Sequence, residues 1–294
     1  MDDATQQPFM LSVVVPCRNG AKTISRQLEA LCAQRWSGPW EVIVSDNGST
    51  DESRAVVDTF VGRLPSLRVI DSSDRRGPAH ARNVGASVAR GSALLFCDDD
   101  DEVARGWLAG LGKALSSKEF VAARLDRRAL NAAAAETMDQ RGDGLLNTVP
   151  PFRPYAFSAT LAVRRSVHLA VGGFDESFVD SCEDRDYCYR VQRAGYRLHL
   201  APEAVVRYQL PDSLKGIYRR ARGYGRGNVQ LYRKYRSEGL HRPSQFKAVA
   251  GWCLLVPQLL PAIRNRRALA VWLQRLGWRV GRLQGSLRHH VLAL

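Results

Sequence analysis

Four short apolar runs, Leu11–Val15, Glu41–Val44, Leu67–Ile70 and Ala93–Phe96, the first rich in β-branched residues, recur along the first hundred residues, and each gives way to a polar cluster. They are too short for helices and read as buried strands. Between the first two, Ile24, Leu28 and Leu31 fall at spacings of four and three, the pattern of a helix with one apolar face. Between the next two, Ser49-Thr50-Asp51-Glu52 is a helix start signal, followed by Val56, Val57 and Phe60. Repeated strand–helix–strand units of this length constrain the chain to an α/β fold, a Rossmann-like, mainly parallel central sheet flanked by helices.

Such sheets bind ligands at the carboxyl ends of their strands. Four polar clusters are expected there: Pro16-Cys17-Arg18-Asn19-Gly20, Ser45-Asp46-Asn47-Gly48-Ser49, Asp71 to Gly77, and the four aspartates Asp98 to Asp101. A single shared site is the economical reading. Carboxylates carried on a rigid strand end suit a hard cation such as Mg²⁺ or Mn²⁺, which would present its open positions to the phosphates of a nucleotide. The competing reading is a helix cap, with Asp101 and Glu102 serving a segment that starts near Ala104.

At 294 residues and 45% apolar content the chain can hold one large domain, or one domain plus an appendage, with a proper core. The charge of +14 divides unevenly: residues 201–294 carry 18 Lys+Arg against three acids, a net of +15, and the first 200 residues are close to neutral. This predicts a catalytic or binding body over residues 1–210 and a basic helical region over 211–294 that meets something anionic. The six scattered cysteines lack zinc-type spacing and read as reduced thiols. Residues 1–10 carry no secretory signal. The expected location is cytoplasmic, with peripheral attachment to the inner face of the plasma membrane left open.

Beyond Lys118, Glu119–Ala123 and Ser158–Val163 read as further strands, and Asn131–Val149 as a loop over the site. Leu214, Ile217, Ala221, Tyr224, Leu231 and Tyr235 trace one helical face, with Gly223, Gly225 and Gly227 marking a bend. Ala248–Ile263 is sixteen residues without a charge; as a helix it reaches only about 24 Å, short of the roughly 30 Å hydrocarbon core, and Pro257 and Pro261 interrupt it. A spanning helix is disfavoured. Leu269, Leu273, Leu276, Val280, Leu283 and Leu287, with Trp272, Trp278 and interspersed arginines, then form a basic amphipathic helix. It suits an anionic membrane surface, or packing against the body or a dimer partner.

The ordered set Val-Val-Val-Pro16-Cys17-Arg18-Asn19, Val44 to Asp51, Ala81-Arg82-Asn83-Val84-Gly85, Asp98-x-Asp100, Gly172-Gly173-Phe174-Asp175-Glu176 and Glu183-Asp184-x-Asp186 resembles the inverting family 2 glycosyltransferases of GT-A fold, over roughly residues 10–210. The resemblance implies that Asp46 accepts from the uracil N–H of a UDP-sugar, that Pro16, Arg18 and Asn19 support base and ribose, and that Arg82 and Asn83 lie by the diphosphate or ribose. Asp98 and Asp100 match the metal-binding Asp-x-Asp, with Asp98 and Asp99 also expected at the nucleotide, and Asp99 or Asp101 open as substitute ligands for Mn²⁺ or Mg²⁺. Asp184 is implied as the base that deprotonates the acceptor, with Glu183 holding it or the donor sugar, and Gly172-Gly173 as the turn on the acceptor side. The plainer readings are an Asx-turn for Asp46, an exposed arginine on a helix for Arg82, a capped helix with Arg185 and Arg190 as ion-pair partners for Glu183-Asp184, and an ordinary positive-φ turn for Gly172. One departure is that Val205-Val206-Arg207-Tyr208 lacks the histidine family members often carry there, and His199 lies too early.

The expected function is therefore transfer of a sugar from a nucleotide-sugar, a UDP-sugar, to an acceptor hydroxyl with inversion, in cell-surface or lipid-linked glycan synthesis. Expected partners are the UDP-sugar, a carbohydrate or lipid-linked acceptor, an anionic membrane surface and a second subunit. A catalytically silent relative that uses the nucleotide pocket for docking is the alternative. Nucleic-acid binding through the Arg/Tyr-rich stretch Tyr218–Arg236 is disfavoured, because no nucleic-acid motif accompanies it.

Overall fold

The structure, a computed structural model, describes residues 9–131, 152–241 and 244–293. They form two compact units: one from 9–131, 153–176 and 187–210, the other from residue 152, 177–186 and the chain beyond 210.

The first unit is built on an eight-stranded sheet. Its strands are β1 (Leu11–Cys17), β2 (Trp40–Asp46), β3 (Leu67–Asp71), β4 (Ala93–Phe96), β5 (Glu102–Val103), β6 (Phe120–Asp126), β7 (Leu161–Arg164) and β8 (His199–Arg207). The order is β3-β2-β1-β4-β7-β6-β8-β5. β1 to β4 pair in parallel, β7 runs against both β4 and β6, β8 runs parallel to β6, and β5 opposes β8. Six strands therefore share one direction, and the sheet is mixed but mainly parallel. Helices α1 (Ile24–Cys32), α2 (Ser53–Asp58), α3 (Pro78–Ser87), α4 (Trp107–Ser117) and α5 (Arg165–Ala170) connect them.

The core confirms the periodicity. Ile24, Leu28 and Leu31 of α1 are buried with Val13, Val15, Val42, Val44 and Leu95 of the sheet and with Trp107, Leu108, Leu111 and Leu115 of α4. Two buried polar side chains are tied in: the Gln27 side chain accepts from Val103 N at 2.9 Å, and Ser12 Oγ donates to the buried Glu41 at 2.7 Å.

Three expectations change. Of Ser158–Val163, only Leu161 onward is strand; Ser158–Thr160 is a 3₁₀ turn, closed because both the amide and the hydroxyl of Thr160 donate to Phe157 O. Asp101 and Glu102 cap no helix: Glu102 opens β5, and α4 begins at Trp107 after Gly106 in the left-handed conformation. Of the proposed loop over the site, residues 132–149 lie outside the described residues.

The second unit contains α7 (Leu214–Tyr235), α8 (Gln245–Ile263) and α9 (Arg266–His289), plus the segment 177–186. That segment runs into α6 (Glu183–Arg193), whose residues from Tyr187 onward belong to the first unit. α7 runs unbroken through its glycines. Its 22 residues form one helix, and the glycines admit neighbouring backbone: a Cβ on Gly225 would lie 2.3 Å from Trp278 O of α9, and one on Gly227 2.4 Å from Ser181 O. α9 answers with Gly277, Gly281 and Gly285 against Tyr218, Arg222 and Arg226 of α7. No helix among the described residues is long and apolar enough to cross a membrane.

Candidate functional site

The carboxyl ends of β1, β2, β3 and β4 lie on one edge of the first unit, and their loops are laced together there. Asn19 takes positive φ (53°), donates its amide to Ser49 Oγ at 3.0 Å and accepts from Thr50 N at 2.8 Å through its side chain. Gly20 N donates to Ser53 Oγ and Ala21 N to Asp51 Oδ2, joining the β1 loop to the β2 loop. Asn47 continues the seam: it donates to Ser72 O and Arg75 O, and accepts from Gly77 N. Each interloop bond satisfies backbone that would otherwise face solvent, so the edge is preorganised.

Asp46, the last residue of β2, is half-buried and does form the Asx-turn: Oδ1 accepts from Ser49 N at 2.9 Å. The turn uses one oxygen; Oδ2 has no partner among the described residues. Pro16 is buried inside β1 opposite Ser45, and Arg18 is exposed at the loop.

The four aspartates divide. Ligand oxygens of Asp98, Asp100 and Asp101 lie within 4.8 Å of one another. Asp99 instead lies against Gly20, where a Cβ would sit 2.1 Å from its Oδ2 and 3.1 Å from the Cys17 Sγ. Burial, reinforced by Asp100 and Asp98, pushes its carboxyl up to about 7, and burial beside Asp99 pushes the Cys17 thiol up to about 12. Asp101, fully buried, also accepts from Gln209 N at 2.8 Å, and Arg26 donates to the backbone carbonyl of Asp100. Three gathered carboxylates fit a hard divalent cation.

Arg82 is buried rather than exposed, with Nη2 at 2.5 Å from Asp98 Oδ1. Asn83 is held by the turn at residues 172–176. Its amide donates to Phe174 O and Glu176 Oε1, both at 2.9 Å, and accepts from Phe174 N at 2.8 Å. This locks the Gly172-Gly173 turn, where both glycines have positive φ (75° and 67°). A Cβ on Gly173 would lie 2.6 Å from Asn83 Oδ1. Arg190 closes the other side, donating to Val171 O and Gly173 O at 2.7 Å.

Glu176 and His80 were assigned no role from the sequence, although Glu176 ends the Gly-Gly-Phe-Asp-Glu stretch. His80 sits between Asp74 (Nε2, 2.8 Å) and Glu176 (Nδ1, 3.0 Å), and Arg75 reaches Glu176 at 3.0 Å. His199 begins β8 opposite Val121, at the edge away from the carboxyl ends, and so lies apart from these groups.

In the second unit, Glu183, Asp184 and Asp186 occupy the first turn of α6, and all three are buried. Asp184 Oδ1 accepts from Arg185 N at 2.7 Å. Arg185 Nη1 donates to Asn228 of α7 at 2.8 Å, and Arg226 of α7 pairs with Asp180 at 2.5 Å.

A mainly parallel sheet with an acidic strand end and laced strand-end loops fits the GT-A class of fold, and solved structures share it. A mannosyltransferase from Pyrobaculum calidifontis, in complex with GDP-Man and Mn²⁺, superposes with TM-score 0.64 at 22% identity over 95% of this chain and 88% of its own. TarS 1–349 of S. aureus, in complex with UDP, gives 0.53 at 19% identity over 96% and 92%. The chain belongs to glycosyl transferase family 2: that family's model matches residues 12–173, and the model of glycosyl transferase family group 2 matches 151–287. The pre-mycofactocin glycosyltransferase of Mycobacterium tuberculosis is 31% identical over 226 residues, which is 73% of this chain but 46% of that protein; the match spans about half of the relative's length. Glycosyltransferase AglE of Haloferax volcanii is 28% identical over 76% of this chain and 74% of its own.

Proposed function

We propose that this protein transfers a sugar from a UDP-sugar to an acceptor hydroxyl with inversion at the anomeric carbon, in the building of a cell-surface or lipid-linked glycan at the inner membrane face. The observation that carries this reading is the gathering of Asp98, Asp100 and Asp101 at the end of β4, on the edge where Asp46 and the laced loops stand. Family membership and the nucleotide-bearing structural neighbours support it, and the basic charge beyond residue 200 supports the membrane location.

Asp46 Oδ2 provides the acceptor a pyrimidine N3–H needs. Asp98, Asp100 and Asp101 would hold Mn²⁺ or Mg²⁺, which supplies positive charge against the diphosphate as the glycosidic oxygen leaves with its electron pair. Arg82 beside Asp98 adds a fixed positive charge. Asp184 takes the acceptor's hydroxyl proton as that oxygen forms its bond to the anomeric carbon and the bond to UDP breaks. Glu183 holds Asp184 or the donor sugar, and the turn pinned by Asn83 and Arg190 serves the acceptor.

Thermal-shift titration with UDP, GDP and dTDP, each with and without Mn²⁺, tests the reading. UDP should raise the melting temperature most, and Mn²⁺ should enlarge the rise. A larger response to GDP would move the donor class, and no response to any nucleotide would remove the transferase reading.

A further inference from the structure

α8 presents a continuous apolar stripe to solvent. Phe246 (85% exposed), Val249 (57%), Val256 (76%), Leu260 (68%) and Ile263 (59%), with the exposed Cys253 among them, follow at spacings of three and four. By helical periodicity this stripe lies roughly opposite Gly251, Leu255 and Ala262, the buried positions of the same helix. The buried face is held by α9: Trp272 Nε1 donates to Leu255 O at 2.9 Å, Arg275 bonds Gln258 at 2.9 Å, and the Arg279 guanidinium occupies the space over Gly251. The stripe is therefore not a misplaced core face, since the core face of α8 already has its partner. An apolar surface of this length on a water-facing helix marks an interaction site.

Charge decides between occupants. After Glu238 the sequence contains nine Lys+Arg and no acidic residue. Exposed Arg264, Arg266 and Arg267 follow the stripe directly, and exposed Arg275 stands on α9. A second copy would bring an identical positive field against this one, whereas anionic lipid headgroups complement it while the acyl boundary takes the stripe.

We propose that the outward face of α8 lies in the interfacial layer of an anionic bilayer, with Phe246, Val249, Cys253, Val256, Leu260 and Ile263 immersed and Arg264, Arg266 and Arg267 at the headgroups. This rests on the membrane location proposed above and names the surface responsible. It assigns that role to α8 rather than to the Trp-bearing α9, whose glycine face is taken up by α7.

Co-sedimentation of the full chain with phosphatidylglycerol-containing and with pure phosphatidylcholine vesicles tests it. The parent protein should pellet with the anionic vesicles and much less with the neutral ones. Val256→Asp/Leu260→Asp, at side chains already in water, should keep the parent melting temperature and weaken binding at least ~10-fold. Arg264→Gln/Arg266→Gln/Arg267→Gln should weaken it by about 100-fold at low salt, given about 1 kcal/mol per basic residue near such a surface. A second readout needs no substitution: Cys253 labelled with an environment-sensitive thiol dye should shift its emission to the blue on vesicle addition. If the aspartate variant pellets like the parent, or the dye does not respond while the protein pellets, membrane binding stands but this surface is wrong. If the parent never pellets, the membrane location itself falls. If the parent elutes as a dimer that the aspartate variant dissociates, a second copy covers α8 and the proposal is overturned.

Discussion

The Tyr235 hydroxyl, at the end of α7, donates a 2.8 Å hydrogen bond to Asp186 Oδ1, and Lys234 Nζ stands 2.5 Å from the same carboxylate. Asp186 is fully buried, so the pair moors the first turn of α6, and with it Glu183 and Asp184, to the first helix of the basic region. Tyr235→Phe should cost about 1.5–3 kcal/mol, as loss of a buried hydrogen bond to a charged group. Chemical denaturation measures the cost. Turnover should fall by more than nucleotide affinity, and an equal fall in both would argue against a mooring role.

Nucleotide affinity should divide along the two acidic positions. Asp46→Ala should weaken UDP binding with or without metal, by about 1–3 kcal/mol. Asp98→Ala and Asp100→Ala should instead abolish the gain from Mn²⁺. The two also separate by stability: Asp98→Ala removes the carboxylate at 2.5 Å from buried Arg82 and should lower the melting temperature more than the exposed Asp100→Ala. Calorimetric titration of all three against UDP with and without Mn²⁺ checks this, and parental binding by all three would misplace the site.

Asp184→Asn preserves shape and removes basicity. Turnover should drop about 10²-fold or more while UDP binding persists. Near-normal turnover eliminates Asp184 as the base. The anomeric configuration of the product is an independent check, because retention contradicts a single displacement.

Burial alone would lower the pKa of His80, but its bonds to Asp74 and Glu176 outweigh burial and leave it raised. A raised histidine contributes stability that is fully present below its unfolded value and is lost as pH rises through the folded one. His80→Gln should therefore cost more in melting temperature at about pH 5.5 than at about pH 9. A penalty that does not change with pH would show that the imidazole acts only by packing.

Gly281 tests the α7–α9 contact. Alanine raises helix propensity by about 1 kcal/mol, yet its Cβ would lie 2.0 Å from Arg222 O. Backbone cannot give way as a side-chain tip does, so Gly281→Ala should be destabilising by about 1–3 kcal/mol. Greater stability in denaturant would mean that the two helices have room to spare.

What the sequence revealed was what neighbours along the chain determine. The strands β1 to β4 and the buried face of α1 follow from local pattern, and the alternation of strand and helix by itself places the polar clusters on one edge. Local pattern failed where the deciding partner is remote. The close approach that Gly223, Gly225 and Gly227 permit was hidden, because the Asp180–Ser181 backbone and α9, which they admit, lie far away in sequence. The partners that hold Asn83 were equally hidden, because nothing near it announces Phe174 and Glu176, more than ninety positions on. Asp99 was indistinguishable from its three neighbours, since only the absence of a Cβ on Gly20 gives it a place apart. His80 went unassigned for the same reason: neither Asp74 nor Glu176 marks it without the turn that brings them together.

The glycines of α7 have a mechanical consequence. Gly223 and Gly227 meet the Asp180–Ser181 backbone on one side, and Gly225 meets α9 on the other, so at this level the helix is a shim of bare-backbone thickness. Side chains between elements absorb displacement by changing rotamer; at the glycines themselves backbone meets backbone, and longer side chains such as Arg226 link the elements only beside them. A tilt imposed on α9, including one delivered through α8, therefore meets backbone directly on its way to the segment leading into Glu183 and Asp184, which makes these helices a lever on the acidic pair.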